Sequence, residues 1–440
     1  MHRVWGVLAL FVLLPLSALA QRAATDEREQ EMQEMRARIE RLEKLVVQLQ
    51  KETSSGIATA PAAGDQLQAA ATPISHEAHA AGPAMPMEHS GSQGGAMNVV
   101  ERKFPDLHWR GFADVDFSAT DEKNAKSGFN LGQFILHISS PLSEKVSVFA
   151  ETSFTAQKGP QATAYNLDVE RLIIRYDYND FFKLSFGRYH TPISYWNVAL
   201  HHGAWLQTTI DRPEMIRFGG RFQPVHFLGM LAEGNIPSGP LGLGYNAGLG
   251  NGRAGNIARP GDSGDVNNNR AWVASVFSRP AALNGLQVGG AVYGDLISPV
   301  PELTGNPQFR ELITSAHIVW TKETPEFLAE FAHVRHRNAF TQTEFNSDAA
   351  YVQVAYRLPG EAGKWKPYYR FEWSNINPND PLFTIASQPA PMVNDLTGST
   401  VGVRYDITNL AAFKAEYRHT ARKVTEPVVN GFFLQTCFTF

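Results

Sequence analysis

The sequence predicts an all-β fold. It is a closed antiparallel transmembrane β-barrel of about 16 strands (18 is the alternative count), preceded by a short α-helical coiled coil. Three observations carry this. Segments of roughly ten residues alternate in hydrophobicity and are separated by turn residues, the mark of a membrane-spanning barrel. Their polar faces carry full charges of both signs, which a dry core does not accept without pairing. Their connections alternate between short and long, as short turns on one side of a membrane and long loops on the other require.

The first hundred residues stand apart by composition. His2 and Arg3 form a short basic start, residues 4–14 are an apolar run too short to span a bilayer, and Ala18-Leu19-Ala20 is a small-residue cleavage site. Residues 1–20 therefore read as a secretory signal peptide, and the mature chain as exported. In residues 26–51, Met32, Met35, Ile39, Leu42, Val46 and Leu49 recur at alternating spacings of three and four, the a and d seam of a heptad. So narrow a stripe suits self-association better than lying on another surface, and it marks an oligomerisation element. Residues 52–105 are rich in Ala, Gly, Ser and Pro without apolar period and read as a flexible linker. Within them His76, His79 and His89, with Met85, Met87 and Met97, offer imidazole and thioether groups competent for copper. Plain linker is the simpler reading, because no scaffold fixes their geometry.

From residue 107 to Phe440 the barrel pattern is continuous. Trp109, Ala113, Val115 and Phe117 alternate with Arg110, Asp114 and Asp116; Tyr369, Phe371 and Trp373 alternate with Lys366, Arg370 and Glu372. Val401, Val403 and Tyr405 oppose Arg404 and Asp406, and Phe413, Ala415 and Tyr417 oppose Lys414, Glu416 and Arg418. Together with Glu151, Arg175, Lys183 and Glu330, these charged residues are assigned to the wall of a lumen. Aromatics such as Tyr176, Tyr178, Trp320, Trp365 and Trp373 suit the interfacial girdles of a lipid-facing surface. Seven short turns, among them 140–145, 223–224 and 408–412, and eight long loops, among them 191–213, 235–269 and 338–347, make fifteen connections and hence sixteen strands. Residues 242–250 fit either a strand or a long loop, and parity favours loop.

Charge and motif content exclude other classes. The 39 basic residues are outnumbered by 43 acidic ones, so no basic excess exists for nucleic acid. The single cysteine, Cys437, reads as a packing residue. No G-x-S-x-G is present, and His76-Glu77-Ala78-His79 is one residue short of the zincin pattern, so no enzyme and no cofactor is expected. A bore walled by charged rings instead admits small ions or polar solutes by passive diffusion. The rival is a non-conducting outer-membrane tether or adhesin.

The chain ends Gly431-Phe-Phe-Leu-Gln-Thr-Cys-Phe-Thr-Phe440, which resembles the terminal targeting strand of bacterial outer-membrane proteins. With the coiled coil, the stretch from Phe186-Gly-Arg-Tyr-His190 to Trp196, and Tyr245-Asn-Ala-Gly-Leu-Gly-Asn-Gly252, the mature chain resembles the phosphate-selective porin O/P-like superfamily. The resemblance implies a bacterial outer-membrane porin among lipids, with its N-terminal segment in the periplasm. It also implies a trimer of separate pores, each narrowed by its inward-folded third loop. Here that loop is residues 191–213, with His201, His202, Trp205, Asp211 and Arg212. The mixed wall charges depart from the Arg/Lys ladder of the phosphate-selective members, so phosphate specificity does not carry over. Deleting residues 21–51 is expected to weaken the oligomer while leaving the barrel folded. Mass measurement in detergent checks this, and an unchanged oligomer would show the seam to be dispensable.

Overall fold

The computed structural model describes residues 104–440, apart from 157–164, 218–221, 254–256, 258–263, 266, 298–302, 304, 385–392, 394 and 423–427. The signal segment, the heptad seam from Met32 to Leu49, and His76, His79 and His89 fall outside the described residues.

Among the described residues sixteen strands form one closed antiparallel barrel, each paired with its neighbours in sequence. They are β1 (His108–Thr120), β2 (Gly128–Pro141), β3 (Val146–Ala156), β4 (Tyr165–Asn179), β5 (Phe182–His190) and β6 (His226–Asn235). Then come β7 (Leu243–Asn251), β8 (Arg270–Ser278), β9 (Leu286–Ile297), β10 (Phe309–Trp320) and β11 (Glu326–Asn338). The last five are β12 (Glu344–Ala355), β13 (Trp365–Asn375), β14 (Leu396–Thr408), β15 (Ala411–Arg422) and β16 (Val429–Thr439). Closure is by β1 on β16, in register from Phe112 opposite Thr439 to Thr120 opposite Gly431. Beyond that ladder Gly111 N donates to Phe440 O at 2.9 Å, and Phe440 N returns the bond to Gly111 O at 3.1 Å. A Cβ on Gly111 would stand 2.1 Å from the Phe440 ring, so the terminal aromatic is seated where residue 111 has no side chain.

Alternation decides the two faces. In β13, Trp365, Tyr369, Phe371 and Trp373 are exposed on the outer face, while Lys366, Tyr368 and Arg370 are buried. In β1, Trp109 is 63% exposed and Phe112, in phase with Arg110, only 2%. Exposed aromatics stand near both rims: Trp109, Tyr176, Tyr178 and Trp365 toward the end with short turns, Phe129, Tyr165, Trp272 and Trp373 toward the other. Such a surface suits lipid, with amphipathic rings at the interfaces.

The strand number matches the sequence count, yet two local assignments were wrong and cancelled. Among the described residues of 191–225 no strand is present; they belong to the third loop, and 223–224 is not a turn between strands. Residues 242–250, read as loop by parity, hold strand β7, so 235–269 is a short turn, a strand and a loop. Glycine hid β7, because Gly244, Gly248 and Gly250 blank the alternation; the rings of Phe277 and Phe227 and the Val273 side chain fill those positions from neighbouring elements. The 338–347 connection is also shorter than read, only 339–343 separating β11 from β12.

A second correction concerns the interior. Inward residues of β8 to β12, including Val273, Tyr293, Ile313, Val334 and Tyr351, form an apolar core with Ile193, Trp196, Ile216, Phe222, Leu382 and Phe383 from the loops. Charged inward faces belong chiefly to the other strands. Loops turned inward bring apolar side chains that need apolar partners, and small or aliphatic wall residues supply them.

Gly187 fixes how β5 approaches β4. Its φ is +144°, and a Cβ there would stand 1.9 Å from Leu172 O. Gly187→Ala is expected to cost about 1–3 kcal/mol of stability, read from urea unfolding of detergent-folded protein. Gly363→Ala, with no atom nearer than 3.6 Å and no positive φ, should stay near wild type.

Candidate functional site

The described residues of the segment between β5 and β6, 191–217 and 222–225, are held against the inner face of strands across the barrel. The segment opens with a short helix, Tyr195–Ala199, whose Ser194 Oγ accepts from Asn197 N at 3.2 Å. Away from water, such irregular backbone must find hydrogen-bond partners. Wall charges provide them. Glu330 accepts from Tyr195 N at 2.6 Å and Trp196 N at 2.8 Å, and also from the Tyr351 hydroxyl at 2.7 Å. Glu416 accepts from Ile210 N and Glu372 from Glu214 N, both at 2.6 Å. Lys414 donates to Ala204 O at 2.6 Å and Thr209 O at 2.9 Å; Arg404 donates to Trp205 O at 2.7 Å and Gln207 O at 3.0 Å. Arg370 reaches Thr209 Oγ1 and Asp211 O, and Arg418 pairs with Asp211 at 2.6 Å. Trp205 lies with its ring centroid 5.8 Å from the Arg110 guanidinium and 5.7 Å from that of Arg404, within cation–π range.

The remaining wall charges assigned from sequence pair elsewhere. Lys366 bridges Glu323 and Glu326, Asp406 joins Arg404 and Arg357, and Arg175 pairs with Asp177 at 2.6 Å. Asp114 accepts from Gln133 N, and Asp116 from Gln435 Nε2. Lys183 stands opposite Glu233 in the β5–β6 register. Toward the end with short turns a cavity of about 1770 Å³ remains, lined by Arg110, Arg171, Arg175, Glu326, Lys366, Arg404 and Asp406, with His201, His202 and Trp205 on the loop side.

One constellation escaped the sequence reading. His190 and His226 are direct partners in the β5–β6 register. His201 and His202 come to them from the loop, and Glu170 and Glu151 from β4 and β3. All six are buried. Ring centroids of His190 lie 3.8 Å from His201 and 5.6 Å from both His202 and His226. Burial holds the His201 ring well below its ordinary pKa and lowers that of His202. No spacing rule would find this set, because strand register and loop path assemble it from five places in the chain. A further missed network clamps other loops: Arg253 pairs with Glu311 at 2.8 Å, and His336 links Glu311 at 2.9 Å to Asp380 at 2.6 Å, all fully buried or nearly so.

No family model and no curated protein matches this chain. Solved structures share its fold. The anion-selective porin from Comamonas acidovorans has a TM-score of 0.55 at 10% identity, over 76% of this chain and 100% of that one. OmpF of Salmonella typhi, in complex with daunomycin, gives 0.53 at 12%, over 76% and 97%. OmpT of Vibrio cholerae in its trimer form gives 0.51 at 11%, over 76% and 99%. At such identities the likeness is one of fold.

Removing a wall charge should loosen the loop. Glu330→Ala leaves two buried backbone donors and a hydroxyl without their acceptor, at an expected cost of about 2–4 kcal/mol. Urea unfolding should register this, with faster proteolysis within 191–225; Glu144→Ala, in an exposed turn, should do neither.

Proposed function

We propose that this chain is a bacterial outer-membrane porin. It passes small ions or polar solutes by passive diffusion, through a charged lumen narrowed by the 191–225 segment. The observation that carries the reading is a closed barrel of sixteen strands that keeps an interior cavity of about 1770 Å³ lined by side chains of both charges. A barrel of that size leaves room for an aqueous path. Porins among its structural neighbours support the same reading.

In this reading Arg110, Arg175, Lys366 and Asp406 face the permeating solute, while Glu330, Arg370, Arg404, Lys414 and Glu416 hold the narrowing loop in place. Opposed charges across the lumen order water and sort solutes by dipole and size, and each charge counts for more where the local dielectric is low. The assembly is a homo-oligomer, taken as a trimer by analogy with the trimeric Vibrio cholerae protein and joined by the residue 26–51 coiled coil. The N-terminal segment lies in the periplasm, where the 52–105 linker is a plain spacer; the alternative is weak copper capture at His76, His79 and His89. The barrel catalyses nothing.

A second reading has its own observation. The apolar core of loop and wall residues fills one side of the bore, as a plugged, non-conducting tether would require. Single-channel recording separates the two. Discrete conductance is expected, rising when residues 200–212 are shortened. Neutralising Asp211 and Arg212 should shift cation-to-anion permeability more than neutralising Asp121 and Glu122 of the first loop. Absence of channels would establish the plugged barrel, and conductance indifferent to both changes would move the narrowest point away from this loop.

A further inference from the structure

The buried imidazole cluster has a donor arrangement that the porin reading leaves unused. Glu170, His190, His201 and His202 each present a ligand atom, and these atoms all lie within 4.8 Å of one another. Glu170 Oε2 and His202 Nε2 are already 3.3 Å apart, close to the edge of a tetrahedron with metal–ligand bonds of ~2.0–2.1 Å, about 3.3 Å. Among the described residues His190 makes no hydrogen bond through either ring nitrogen, although the ring is buried; the nearest carboxylate oxygen, on Glu151, stands 3.6 Å from Nε2. A buried imidazole left so carries a desolvation cost that a metal bond would offset.

The surrounding contacts fix which nitrogens point inward. Asn197 donates through Nδ2 to Thr191 O at 3.0 Å and Val225 O at 2.9 Å, so its Oδ1 faces His201 as an acceptor. His201 Nδ1 stands 2.8 Å from that acceptor and 3.4 Å from Arg212 Nη1, a donor; the shorter contact puts the proton on Nδ1 and the lone pair on Nε2. An imidazole whose other nitrogen donates to a carbonyl oxygen is the usual state of a metal-bound histidine. His226 behaves differently. Its Nδ1 accepts from Arg188 at 3.1 Å, and its Nε2 stands 2.7 Å from Glu170 Oε2, a close ion-pair contact that sets the ring beside that carboxylate. It is a positioning residue and not a ligand.

We propose that Glu170, His190, His201 and His202 form a binding site for a divalent transition cation of the zinc class. Three imidazoles and one carboxylate suit zinc, and also cobalt, nickel and copper, whereas calcium and magnesium require oxygen ligands throughout. His190, His201 and His202 line the interior cavity, which gives the ion its entry path. Once bound, it ties the loop, through His201 and His202, to β4 and β5. The site stands whether or not the barrel conducts.

The test uses full-length, chelator-stripped protein carrying His76→Ala, His79→Ala and His89→Ala, so that the linker contributes nothing. Calorimetry with zinc chloride should give one ion per chain, with magnesium not competing. His190→Asn and His202→Asn should each weaken binding by at least about 100-fold, and His226→Asn by about 10–100-fold. Resistance to dodecyl sulfate at room temperature identifies variants with an intact barrel. X-ray absorption at the zinc edge, on the loaded background protein, needs no further variant and should report imidazole scattering from three ligands. Zinc affinity unchanged by both ligand substitutions would overturn the assignment. So would an oxygen-only shell, or the absence of saturable binding, and the cluster would then be a hydrogen-bonded clasp for the loop.

Discussion

Backbone amides and carbonyls out of contact with bulk water must be hydrogen-bonded, and this requirement shapes the molecule twice. In the wall it is met by closure: β1 pairs with β16, and the mutual bonds of Gly111 and Phe440 finish the seam. Inside, the irregular chain between β5 and β6 has no strand to pair with. Its amides and carbonyls are met instead by Glu330, Glu372, Glu416, Lys414, Arg404 and Arg370.

That second role changes what a charged inner face means. Alternation of charge and apolar residue identifies a wall, yet many of those charges are occupied by the loop and by each other. Glu416, for example, takes Ile210 N, the Tyr368 hydroxyl and Arg418 together. Charges held in this way position the loop. Others, such as Arg110 and the Lys366–Glu326 pair, line the cavity instead. The loop is thus gripped by polar groups on one side and packed on apolar residues of β8 to β12 on the other.

Legibility in the sequence followed the range of the interaction. Period-two alternation is local, so the faces of β1, β13, β14 and β15 and the inward direction of Phe112 and Lys414 were readable. Where glycine removes the side chains that carry the alternation, as in β7, the signal vanished and the loop assignments on either side slipped. The heptad seam and the linker histidines are equally local readings, and they stay readings from sequence alone.

The sequence by itself determined the class of fold and the outward apolar face; the strand number came out right because one strand too many and one too few offset each other. Fold class and face follow from residue-to-residue periodicity and from the polarity of the two solvents a strand must face. Only the tertiary structure decided the content of the barrel. It decided that Glu330 holds Tyr195 and Trp196, that Arg253, Glu311, His336 and Asp380 interlock, and that Glu170, His190, His201 and His202 converge. These groups lie far apart along the chain. Barrel closure, strand register and the path of one loop bring them together, and none of these leaves a periodic trace in the sequence.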